Sequence, residues 1–216
     1  MTLSSMQKNG LVLAAFAVAA TLLIVGTALL TEDQITAQQQ QQLRNNLNAV
    51  LPQETYTNNL FEECRLVTHE ELGGSQPKHV YLAYQQQGFV GAAMEVTAPN
   101  GYSGAIQLLV AVYADGSVAG VRTLKHQETP GLGDKIERRK SDWIESFDGM
   151  QVNGDDDSRW DVRKQGGVFD QFTGATITPR AVVHAVENAV QVFTENQSQW
   201  QQQPANCEEV ASDARI

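Results

Sequence analysis

The chain has 216 residues and a formal net charge of −10, with 15 Lys and Arg against 25 Asp and Glu. Such an acidic balance, without a basic patch to neutralise phosphates, argues against nucleic acid as a partner. The two cysteines, Cys64 and Cys207, are far apart and lack Cys-x-x-Cys spacing, which argues against iron–sulfur and zinc sites. Two separate thiols are expected, although an oxidising compartment would let them pair.

Residues 1–10 are polar, with Lys8 the only charged side chain. Residues 11–30 then read LVLAAFAVAATLLIVGTALL, without a charge. About 20 apolar residues in a helix span a hydrocarbon core of ~30 Å, so 11–30 are predicted to be a transmembrane helix. Lys8 and the N-terminal amine lie on one side, Glu32 and Asp33 on the other. That asymmetry predicts a cytoplasmic N-terminus, with the bulk of the chain outside, which in a bacterium is the periplasm of the inner membrane. A cleaved signal peptide is the rival, with Gly26-Thr27-Ala28 as a weak cleavage match. Secretory apolar cores usually run only about 7–15 residues, which favours an uncleaved anchor.

Residues 31–70 read as a stalk or connecting segment, opened by the glutamine run 38–42 and continuing as helix and loop over 48–68. The main domain is expected over 71–200. Runs 80–85, 89–97, 105–113 and 118–124 read as strands, the last two joined by Ala114-Asp115-Gly116-Ser117, a hairpin signal. An antiparallel sheet with one face to cover predicts packed helices, hence an α+β fold. Ser141 reads as the cap of a short helix in which Trp143 and Phe147 face the core. His126 and Glu128 read as solvated or backbone-capping groups, Asp155–Asp157 as a solvated loop, and His184 as a surface or packing residue. The tail 201–216 is polar and loose.

The chemistry concentrates at Asp170-Gln171-Phe172-Thr173-Gly174-Ala175-Thr176. Gly174 and Ala175 are small and leave the Thr176 hydroxyl accessible. Thr178 then Pro179 read as the N-cap and first residue of a helix to about Asn196, with Val182, Val186, Val190 and Phe193 on one face. A helix N-terminus has unpaired N–H groups and favours an anion. On its residues alone the stretch reads as a capped loop before a surface helix. Arg180 is expected to point into water, contact with a phosphate being the alternative.

Asp170 through Thr176 resembles the flavinylation motif of the FMN-binding domain family: Asp, two variable residues, Ser or Thr, then Gly-Ala-Thr. The residue after the Asp, often Gly in that family, is Gln171 here. In that family a flavin transferase moves FMN from FAD onto the last threonine. The resemblance therefore implies FMN in phosphoester linkage to Thr176, with Asp170, Thr173, Gly174 and Ala175 around it. Glu128-Thr129-Pro130-Gly131-Leu132-Gly133 resembles a second hallmark, implying Glu128, Thr129, Gly131, Leu132 and Gly133 as a second wall of the flavin site.

Most of the chain is similar to the G subunits of Rnf (Rsx) complexes. These pass electrons between ferredoxin and NAD through flavins and iron–sulfur centres, coupled to Na+ or H+ movement. The similarity implies a redox subunit, not a complete enzyme, with no catalytic residue or metal of its own. Its partners would be other membrane subunits and the transferase. The C subunits of Na+-translocating NADH:quinone reductases share the anchor, the domain and the Gly-Ala-Thr but are usually longer. A flavin-free periplasmic adaptor is the alternative of another kind. No Gly-x-Gly-x-x-Gly follows a strand, so NAD(P)H is not expected to bind.

Overall fold

The computed structural model describes residues 2–86, 88–154 and 157–207, and the chain divides into two units, 1–45 and 46–216. Helix α1 (Thr2–Val50) is continuous through the predicted anchor and the glutamine run. Within it, residues 6–32 are long and apolar enough to cross a membrane, and none of that span is buried in the protein. Leu11, Phe16, Leu22 and Leu29 all lie exposed. A helix apolar all round suits hydrocarbon, not a water-facing surface.

The second unit is built on five antiparallel strands in sequence order: β1 (Cys64–Val67), β2 (Lys78–Gln85), β3 (Gly88–Ala98), β4 (Ile106–Tyr113) and β5 (Val118–Lys125). Strands β2 to β5 fall where alternation predicts them. Strand β1 replaces the helix and loop expected there, and it pairs Cys64 with Tyr81 and Val67 with Lys78. Alternation decides the two faces. Val80, Leu82, Met94, Val96, Leu108 and Val110 pack in the main core with Val182, Val186, Val190 and Phe193 of helix α2 (Ile177–Gln202). Ala111 and Gly120, paired across β4 and β5, share the other face, where Val50 lies so close that a β-carbon on Gly120 would meet its Cα at 3.0 Å.

Ser141 caps a 3-10 helix over Asp142–Phe147, its side chain accepting from Trp143 N, as expected. Trp143 and Phe147 meet edge to face at 5.4 Å, and Phe147 packs on Phe169 at 4.5 Å. This aromatic group lies beneath the Asp170–Thr176 segment, since Trp143 also meets Phe172 at 5.0 Å.

Two expectations are corrected. Cys64 and Cys207 form a disulfide, with Cα atoms 5.6 Å apart across 143 residues of sequence. The fold brings the chain end to the edge strand, which spacing alone did not show. Asp157 is also not solvated: its side chain is 6% exposed and pairs with Arg159 Nη2 at 2.6 Å. That guanidinium holds its carboxyl well below the usual range. Asp155, Asp156 and the tail from residue 208 lie outside the described residues.

Candidate functional site

Phe172–Ala175 forms a β-turn closed by Ala175 N donating to Phe172 O at 3.1 Å. Gly174 occupies its third position with φ +82°, while Thr173 has negative φ. This is a type II turn, whose third residue favours glycine. Thr173 and Gly174 are exposed, and Ala175 and Thr176 are half-buried. Asp170 is exposed, pairs with Arg163 at 3.0 Å, and accepts Trp143 Nε1 on its carbonyl at 2.8 Å.

The expected capping is corrected here. Thr176, not Thr178, is the residue preceding α2, and its side chain makes no capping hydrogen bond. Thr178 is the second helical residue and is fully buried. Its Oγ1 donates to Glu128 Oε2 at 2.5 Å. Pro179, third in the helix, is tolerated because N–H groups in the first turn have no helical acceptor. Thr176 is thus left with a hydroxyl that no described residue engages, while the hydroxyl of Thr178 is committed.

Glu128 is 4% exposed and neither solvated nor idle. Its Oε1 accepts from Ser103 N at 3.0 Å, and its N–H donates to His126 Nδ1 at 3.0 Å. That donation fixes the His126 proton on Nε2, which donates to Glu137 Oε1 at 2.9 Å. Arg139 first, and His126 after it, hold the Glu137 carboxyl below its ordinary range. The exposed Thr129 supplies the carbonyl that receives Leu132 N and Gly133 N, each at 3.1 Å. Gly131 N donates to Asp134 Oδ1 at 2.8 Å.

The two segments meet at two points. The Glu128–Thr178 bond joins them at depth. At the surface, a β-carbon on Gly174 would touch Leu132 Cδ2 at 3.5 Å, and Leu132 is 41% exposed. The space beside Gly133 is filled by the buried pair: a β-carbon there would lie 2.8 Å from Glu128 Oε2 and 2.9 Å from Thr178 Oγ1. The open side of the loop is at Gly131, with φ +79° and nothing within 4 Å. Tyr102 and Ile177, the chain neighbours of Ser103 and Thr178, are 66% and 52% exposed.

A cleft of about 530 Å³ runs along α2 from Ile177 to Asn188, opposite Thr97 and Asn100. Arg180 does not simply point into water, since its Nε lies 3.4 Å from Asp161 Oδ1. The half-exposed His184 lies 3.8 Å from the other oxygen of Asp161. Ser103 and Thr178 were not foreseen as partners of Glu128, because nothing in the spacing of residues 103, 128 and 178 connects them.

Residues 101–191, which hold both segments, match the family model of the FMN-binding domain. Residues 1–50 match the model of the RnfG N-terminal region. The chain is 52% identical to the G subunit of the ion-translocating oxidoreductase complex of Vibrio atlanticus, covering 95% of this chain and 98% of the relative. It is 52% identical to the protein of the same name in Aliivibrio fischeri, over 95% and 99%, and 50% identical to that of Shewanella oneidensis, over 94% and 96%. The chain belongs to the family of ion-translocating oxidoreductase complex G subunits.

Proposed function

We propose that this chain carries FMN as a phosphoester on Thr176 and relays electrons within a membrane-bound, ferredoxin- and NAD-linked complex that moves Na+ or H+. The observation that carries the reading is the state of the three hydroxyls. Thr178 is buried and spent on Glu128, Thr173 stands at the position that the family motif gives to Ser or Thr, and Thr176 is half-buried with a hydroxyl that no described residue engages. The donor set also fits. The open backbone at Gly131 and the exposed side chain of Leu132 offer apolar surface beside an attachment point. Asp170 and Thr173 present polar groups on the exposed turn, where a flavin transferase reaches them.

In attachment, Thr176 Oγ bonds to the FMN phosphorus of FAD as the pyrophosphate P–O bond breaks. AMP leaves with the bridging oxygen, and the hydroxyl proton is released. Bound flavin supplies the redox chemistry, while the chain holds and tunes it. The Cys64–Cys207 disulfide supports a periplasmic location for this unit, since disulfides persist in oxidising compartments. Residues 6–32 then serve as the anchor, with the N-terminus cytoplasmic and the other membrane subunits as partners.

The test is Thr176→Val, which keeps the shape and removes the hydroxyl. Expressed with the transferase, the variant should fold, reach the membrane and lose all flavin fluorescence on a denaturing gel. Covalent flavin that survives the substitution, or peptide mapping that puts it on Thr173, overturns the assignment. A wild-type chain that takes up no flavin when transferase and FAD are supplied leaves the adaptor role in its place.

A further inference from the structure

We propose that Lys135 is the cation that faces the phosphoester on Thr176, a role that rests on reading Thr176 as the attachment point. The N-terminal end of α2 already has an acid beside it: Glu128, buried and bonded to Thr178 in the first turn. A phosphodiester brings one more negative charge to a chain of net charge −10. Three nearby cations are committed. Arg163 pairs with Asp170 at 3.0 Å, Arg180 with Asp161 at 3.4 Å and Lys140 with Asp134 at 3.6 Å.

Lys135 differs. It is half-buried on the turn Gly133–Ile136 and pairs with no carboxylate among the described residues. Its Nζ lies 6.0 Å from the ring centroid of Phe172. Phe172 opens the turn that delivers Thr176, and Leu132, three residues before Lys135, lies where a β-carbon on Gly174 of the same turn would meet it at 3.5 Å. A contact at that distance is the outer limit of a cation–π interaction and holds the ammonium weakly. A lysine on its flexible stem serves an oxyanion as a movable point charge.

The experiment uses the full chain, expressed with the transferase, as wild type, Lys135→Gln and Lys135→Arg. Phosphorus NMR reads the attached phosphodiester, and in-gel fluorescence reads the rate of attachment. Lys135→Gln should displace the phosphorus resonance and slow attachment about tenfold, as for loss of a charge-assisted contact. It should also abolish the slowing of attachment by added salt. Lys135→Arg should hold all three near wild type. A Gln variant with an unchanged resonance and rate overturns the proposal while leaving Thr176 as the site. Equal losses in the Gln and Arg variants, with melting temperatures unchanged, overturn it too, because charge is then not what matters. A wild type without flavin on Thr176 overturns both readings together.

Discussion

The two ends of α2 are held by different means. At its start, Thr178 is tied to Glu128 by a single buried hydrogen bond, and Glu128 in turn receives Ser103 N. Past its end, Cys207 is bonded to Cys64, Asn206 N donates to Cys64 O at 3.2 Å, and Asn206 Oδ1 accepts from Leu66 N at 2.7 Å. The first arrangement fastens the helix from below and leaves Thr176 reachable from above. The second presents no chemistry and covers backbone at the edge strand. The end proposed to receive the flavin is secured beneath its surface, and the other end is secured covalently.

The largest expected effect breaks the second end. Cys64→Ser with Cys207→Ser should lower unfolding free energy by about 2–5 kcal/mol, since the bond closes a very long loop in the unfolded chain. Urea unfolding measures the loss. Hydrogen exchange should rise at β1 and the end of α2 and stay slow at Thr178, and uniform loss of protection would erase the distinction between the ends.

Glu128→Ala breaks the first end. It strands the Thr178 hydroxyl and Ser103 N–H without an acceptor, which should cost about 2–3 kcal/mol. Glu128→Gln keeps an acceptor oxygen and should recover a good part of that. Thermal melts of the two variants check it, and equal losses would show that the site depends on volume alone.

The smallest effect lies between the ends. Burial first, then Asp157 and Asp161, push the Glu187 carboxyl from its ordinary 4.5 up to about 7. The folded chain therefore binds this proton more tightly than the unfolded chain. Its contribution is fully present below the lower value and is lost as pH rises through the higher one. Glu187→Gln should be the more stable form at about pH 8, by roughly 1 kcal/mol or less after solvent screening, and no different at about pH 4. A stability gap that stays constant with pH would remove Glu187 from the account.

Strands β2 to β5 were legible because β-branched and apolar residues alternate between turn signals, and the long apolar helix because an uncharged run of that length reads as one. Strand β1 was hidden: Cys64-Arg65-Leu66-Val67 is short, and its arginine is buried at 4% exposure, contrary to the usual pattern. Thr178-Pro179 imitated a cap because proline is accepted throughout a first turn, not only at its first position. The meeting of residues 128 and 178, and of 64 and 207, depends on tertiary closure, which no local pattern encodes. Residues 128–133 and 170–176 were each recognisable; that Leu132 comes to lie beside Gly174 is the fold's contribution.

The strand order has a consequence for how the chain matures. Each strand pairs with the next in sequence, so the whole sheet is a meander of short-range contacts. Such topologies assemble quickly, and a chain made from its N-terminus can close the sheet by the time β5 has emerged. Cys64 is then already in place on the outermost strand, while Cys207 is still to be synthesised. Until the segment ending at Cys207 arrives, β1 is an uncovered edge open to pairing with another chain. The bond between Cys64 and Cys207 then holds Asn206 against the edge of β1, where it covers Leu66 N and Cys64 O.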